Sequence, residues 1–157
     1  ATSDRTPISY GVHFAEVEVD TETGAVALLT FVPAQDVGYA INPKMVEGQL
    51  EGALLHGTEF SLFSELQLEN GLPRNANLPD YSAITAFEMP DVIDPVIVES
   101  NEESGPYGAK GLGTPSMPPI APAILNALRD ATGTRFHDPP VSDEAVCRAF
   151  DRDREDA

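Results

Sequence analysis

From Val12 to Val19 apolar and acidic residues alternate, with Ala15, Val17 and Val19 on one side and Glu16 and Glu18 on the other. That period of two predicts a strand with one buried face. Asp20-Thr21-Glu22-Thr23-Gly24 carries turn chemistry of hairpin-loop length, so the chain is expected to double back there. Val26 to Val32 then returns with apolar residues on both sides, the pattern of a more deeply buried strand. Asn42-Pro43 reads as a helix start, because an asparagine side chain accepts from the free first-turn amides and proline has no N–H to leave unsatisfied. The helix is predicted from about Pro43 to Leu66, with Val46, Leu50, Ala53, Leu54, Gly57, Phe60 and Phe63 along its apolar stripe. Gly48, Gly52 and Gly57 weaken it, each by up to about 1 kcal/mol relative to alanine. Such a face makes sense if something packs very close: the sheet, or else a cofactor or a neighbouring domain.

Residues 67–95 read as a long irregular connector, a kind of segment that often carries function. Tyr81 and Phe87 within it are read as aromatics of a small core. Val96-Ile97-Val98 is predicted as a short buried strand. Ile120 to Leu128 begins an apolar helix that ends at Gly133, and Ser142-Asp143-Glu144 caps a last helix to about Phe150. The expected fold is α/β (α+β): a mixed sheet with an N-terminal β-hairpin, one long helix after Pro43 and two C-terminal helices. The expected organisation is a polar arm at 1–9, one domain at 10–150 and a charged tail at 151–157.

Composition narrows the partners. The 157 residues are 41% hydrophobic, enough for one core. Asp and Glu number 26 against 9 Lys and Arg, a formal net charge of −17. Such a surface repels nucleic acid and anionic membranes. No apolar run approaches the ~20 residues of a membrane span. Cys147 is the single cysteine, so no internal disulfide forms, and it is read as a small apolar residue of the last helix. His13 is read as a packing or surface residue, since no second histidine or cysteine stands near it in the sequence to share a metal. No residue is assigned as a metal ligand. The chain begins with Ala1 and not Met, which points to a processed chain or a piece of a longer one.

The densest chemistry lies in Gly105-Pro106-Tyr107-Gly108-Ala109-Lys110-Gly111-Leu112-Gly113-Thr114-Pro115-Ser116. Glycines here are expected to leave backbone N–H groups bare for an anion or cofactor. The segment is not a P-loop, because Lys110 precedes Gly111 where Ser or Thr should stand. Gly-Pro-Tyr-Gly-Ala-Lys-Gly-Leu-Gly, a variable residue and Pro resemble the active-site loop of the xanthine dehydrogenase/aldehyde oxidase family of molybdenum hydroxylases. Three further stretches resemble the family in the same order: Asp36-Val37-Gly38, Ile41-Asn42-Pro43, and Glu47-Gly48-Gln49-Leu50-Glu51-Gly52. Asn77-Leu78-Pro79-Asp80-Tyr81 resembles its Asn-x-x-Asp-Tyr element near the substrate funnel. The resemblance spans roughly Tyr10 to Phe150.

The resemblance implies the C-terminal part of a molybdopterin-binding large subunit, catalysing oxidative hydroxylation of aldehydes or N-heterocycles with water as oxygen source. It implies molybdopterin shared with the remainder of that subunit, and iron–sulfur clusters and FAD on partner subunits. The expected compartment is cytoplasmic, with the periplasm as the alternative. Gln49 corresponds to a molybdopterin contact, and Lys110, Gly111 and Gly113 lie in the cofactor loop. Lys110 has two readings, neutralising charge near the cofactor or reaching out to solvent. Thr114 holds the position of the family's catalytic glutamate, and a threonine hydroxyl cannot act as that general base. Either Glu102 or Glu103 takes over, or the chain is a non-catalytic paralogue or assembly module. His56 stands where many relatives carry glutamine and is given no role.

Overall fold

A computed structural model describes residues 7–155. The alternating segment forms β1 (Gly11–Val19) and the return strand β2 (Val26–Asp36). They pair antiparallel, with a bulge between Glu16 and Val17. The turn is closed by the Asp20 carboxylate, which accepts from the N–H groups of Glu22 (2.8 Å) and Thr23 (3.2 Å). α1 (Pro43–Thr58) starts as expected, with Asn42 accepting from the Met45 N–H. It ends sooner than the apolar stripe suggested. After Thr58 the backbone widens into a π-helical turn, Glu59–Phe63, and by Ser64 the chain is extended.

The connector after it is more structured than its sequence indicated. It holds a small hairpin, β3 (Leu68–Glu69) and β4 (Leu72–Pro73), then a single helical turn α2 (Leu78–Tyr81) and β5 (Val92–Ile93). β6 (Val96–Val98) follows, and both β5 and β6 pair in parallel with β2. β2 is therefore the centre of a four-stranded mixed sheet and β1 an edge. α3 (Ile120–Thr132) ends at Gly133 in the left-handed conformation. α4 (Asp143–Glu155) runs further than expected, through five of the seven residues read as tail.

One face of the sheet is covered. Leu28 and Phe31 of β2 pack with Ala53 and Leu54 of α1, Ile120, Ile124 and Leu128 of α3, and Val146 of α4. α1 and α3 approach closely at Gly57, where an added Cβ would come within 2.5 Å of Ile120. A second, smaller cluster of Val37, Ala40, Val46 and Leu50 is extended by Ile97 and Leu112. Two burial expectations fail. Phe87 is 98% exposed, and in β6 only Ile97 turns inward while Val96 and Val98 face out. Strand pairing was legible there, but which face would be covered depends on elements remote in sequence. Among the described residues no helix is long and apolar enough to cross a membrane.

Candidate functional site

Four segments meet beyond the carboxyl end of β2: residues 36–40, the first turns of α1, the residues after β6, and the glycine-rich loop. Backbone hydrogen bonds knit them. Val37 N–H donates to the Val98 carbonyl (3.0 Å), Asn101 N–H to Gly38 (3.0 Å) and Lys110 N–H to Val37 (2.8 Å). Gly38 must be glycine twice over: its φ is +70°, and a Cβ would overlap the Gly108 carbonyl.

Asp36 anchors this junction from inside. One carboxylate oxygen accepts from the Gly38 N–H (2.9 Å) and the Ser100 hydroxyl (2.8 Å), and the other accepts from the Lys110 ammonium at 2.6 Å. Burial alone would raise the Asp36 pKa. The hydrogen bonds from Lys110, Gly38 and Ser100, with the ammonium charge, outweigh it and hold the carboxyl below its ordinary range. The Lys110 side chain is only 4% exposed, and its ammonium lies 5.5 Å from the centre of the Tyr10 ring. Lys110 thus turns inward to the end of β2 and does not reach out to solvent.

The loop divides in two. In its first half the N–H groups of Gly105, Gly108, Ala109 and Lys110 are engaged within the chain, donating to the carbonyls of Glu102, Gly105, Pro106 and Val37. The N–H groups of Gly111, Leu112, Gly113 and Thr114 donate no hydrogen bond among the described residues, so the bare amides expected of the whole loop are confined to its second half. Leu112 pins that half to the second cluster. The buried Ser116 hydroxyl closes it, sharing its one proton between the carbonyls of Leu112 (2.9 Å) and Gly113 (2.8 Å). Thr114 is exposed at the start of the short helical turn Thr114–Ser116.

Gln49 comes to the same place from α1. It is exposed, and its Nε2 lies 3.5 Å from where a Gly113 Cβ would stand. Gln49 also lines a recess of about 300 Å³, together with Val37, Tyr39, Ile41, Met45, Lys110 and Leu112. Gly48 and Gly52 flank Gln49 with nothing within 4 Å of an added Cβ. The glycines of α1 therefore have separate reasons: Gly57 admits α3, while Gly48 and Gly52 face open space.

Glu102 lies on the other side of Lys110, along a depression that also takes in Tyr10, Asp36, Ser100 and Glu103. Its carboxylate accepts from the Ser104 hydroxyl (2.7 Å) and N–H (3.0 Å) and stands 4.0 Å from the Lys110 ammonium. The Ser104 bonds, and more weakly the Lys110 charge, hold it below the usual carboxylate range, the opposite of what a base poised near neutrality needs. Glu103 is exposed. The remaining singled-out residues lie elsewhere. His13 packs edge-on against Phe31, and His56 sits 3.7 Å from Glu59. Cys147 meets the Glu22 carbonyl in the hairpin turn at 3.6 Å. Among the described residues no group of three or more His, Cys, Asp or Glu could hold a metal ion.

The sequence did not reveal Asp36 as the partner of Lys110, nor Ser100 and Ser116 as braces. Asp36 and Lys110 are 74 residues apart, and no local pattern links them. Chemically, the site offers four amides that donate no hydrogen bond among the described residues and suit an anion, a side-chain amide that can donate and accept at once, and an apolar recess beside it.

A protein-family profile for the molybdopterin cofactor-binding domain matches residues 1–90. The putative xanthine dehydrogenase molybdenum-binding subunit of Escherichia coli is 33% identical over 146 residues, 92% of this chain and 19% of the relative. Among solved structures, the aldehyde oxidoreductase of Desulfovibrio gigas superposes with a TM-score of 0.82 at 33% identity, over 91% of this chain and 15% of that one. The quinoline 2-oxidoreductase of Pseudomonas putida gives a TM-score of 0.81 at 28% identity, over 88% of this chain and 18% of that one. The chain thus spans about a fifth or less of the length of these relatives.

Proposed function

The chain belongs to the family of molybdopterin cofactor-binding domains, and we propose that it is the C-terminal part of the molybdopterin-binding subunit of a molybdenum hydroxylase. The reaction is oxidative hydroxylation of an aldehyde or N-heterocycle with water as oxygen source. It proceeds only together with the remainder of that subunit and with partners carrying iron–sulfur clusters and FAD. One observation carries the reading: the Gln49 amide comes close to Gly113, within the segment Gly111–Thr114 whose N–H groups donate no hydrogen bond among the described residues, beside a recess that Gln49, Lys110 and Leu112 line.

Those groups fit a pterin with a phosphate tail. The amides of Gly111, Leu112 and Gly113 suit the negative charge, and Gln49 both donates and accepts along a heterocycle edge. The absent side chains at Gly48 and Gly52 leave α1 approachable beside Gln49. When bound, the molybdenum cofactor would supply the redox chemistry of hydroxylation. Lys110 contributes by holding the loop to β2, because its charge is already matched by Asp36.

Thr114 supports a second reading, a non-catalytic module that keeps the fold and the cofactor loop. Its hydroxyl can donate or accept a hydrogen bond but cannot take up a proton near neutrality, and Glu102 is held ionised by Ser104 and Lys110. The test is purification of the chain with its associated polypeptides from the native host, with molybdenum and pterin assayed. The expected result is stoichiometric cofactor in the assembly, reduced by Gln49→Ala; an assembly without molybdenum or pterin would falsify the proposal. Within a loaded assembly, Thr114→Glu is expected to raise dye reduction by aldehydes or N-heterocycles by at least about 100-fold, the scale of a positioned general base. No gain from Thr114→Glu favours the non-catalytic module.

A further inference from the structure

The face of the sheet opposite the core is apolar and bare. On β1 and the residues before it every second side chain points away from the core, and Tyr10, Val12 and Phe14 are 65%, 59% and 61% exposed. The register carries this surface across the sheet: Phe14 lies beside Val32, Val12 beside Ala34, and Ala34 beside Val96. β1 is also an edge strand of nine residues with one partner among the described residues. Its outer row of backbone groups makes no strand pair among the described residues. Its exposed row is apolar at Val12 and Phe14 before it turns acidic at Glu16 and Glu18, and a bare apolar stretch on an edge is a template for pairing that lone chains normally blunt or cover.

We infer that this face and edge seat the remainder of the molybdenum-binding subunit, an inference that rests on the functional reading above. Three observations select that occupant. Relatives of this fold are five or more times longer than the segment they share with the chain, so most of such a subunit must pack around a unit like this one. The bare face also runs directly into the site: Tyr10 covers the Lys110 ammonium, and Val98 pairs with Asp36. A polypeptide seated there abuts the glycine-rich loop. Finally, the charge is wrong for a second copy. Glu16 and Glu18 continue the exposed row of β1, Asp94 stands beside β5, and each chain carries a formal charge of −17. Two copies face to face would set like charges together. The fitting surface is apolar with a basic border.

The test co-expresses the chain with the polypeptide that supplies the rest of its host's molybdenum-binding subunit and measures how much is retained. The wild-type chain is expected to be retained, with new hydrogen-exchange protection over Gly11–Glu16. A chain carrying Phe14→Asp with Val96→Asp, and separately one with Val12→Lys, is expected to bind at least about tenfold more weakly, as loss of a central apolar anchor does. The three side chains are exposed, so circular dichroism and melting of the isolated variants should match wild type, and Leu72→Asp on the separate β3–β4 sheet should leave binding unchanged. Undiminished binding by both variants overturns the inference, as does failure of the wild-type chain to bind. So does a dimer of the isolated chain that these substitutions dissolve. If binding needs the face but the complex holds neither molybdenum nor pterin, the docking surface stands and the functional reading falls. A loaded complex indifferent to the substitutions gives the reverse.

Discussion

Gly52 and Gly57 lie five residues apart on α1, and the sequence marked them, with Gly48, as equal weaknesses in one helix. The structure separates them. At Gly57 a methyl group would collide with Ile120, while at Gly52 it would meet nothing within 4 Å. Gly57→Ala is therefore expected to push α3 off α1 and cost about 1–3 kcal/mol, the usual range for overpacking a fitted contact. Gly52→Ala is expected to raise stability by up to about 1 kcal/mol through helix propensity alone. Chemical denaturation of the two variants checks both signs, and a destabilised Gly52→Ala would mean that this face is not open. The sequence could show that glycine was placed there against helix propensity. It could not show which glycine faces α3, because Ile120 enters from far along the chain.

At the scale of elements, legibility tracked how local the determining chemistry is. The hairpin, the Asn42 cap of α1 and the Gly133 stop of α3 are each set by residues within a few positions of each other. The length of α1 was misjudged because its apolar stripe continues through Phe60 and Phe63 while the backbone opens into a π-helical turn. The end of β2 and the glycine-rich loop are joined by a link that the sequence hid, the buried Asp36–Lys110 pair. Removing one partner of such a pair leaves a buried charge uncompensated. Lys110→Met is expected to cost about 3 kcal/mol or more, and the added change Asp36→Asn should recover part of that loss. Denaturant unfolding of the single and double variants measures the coupling. A single variant as stable as wild type would show that the pair does not hold the loop.

Over the whole molecule, the formal charge of −17 sets the surface, but the pH response near neutrality has an interior source. Both ring nitrogens of His13 are shut from water without a hydrogen-bond partner among the described residues. Burial pushes its pKa below the ordinary 6.5, with the nearby Gln35 amide offsetting part of the shift. The unfolded chain then takes up a proton near pH 6.5 and the folded chain only lower, so stability falls as pH drops below 6.5 and levels off beneath the folded pKa. His13→Leu is expected to flatten this limb between about pH 7.5 and about 5, read from urea midpoints. The contribution of Asp36, whose pKa is lowered, is lost only under more acid conditions, as pH falls below its ordinary 3.8. The long span of the Asp36–Lys110 link carries one more consequence. The β1–β2 hairpin pairs strands that are neighbours in sequence, whereas the loop is tethered to a carboxylate 74 positions earlier and α1 meets α3 through Gly57 and Ile120. Chain closures of that span are slow relative to hairpins and single helices. During biosynthesis the recess beside Gln49 is thus completed only after a ribosome has delivered the segment through Leu112, and on the proposed function cofactor insertion would wait for it.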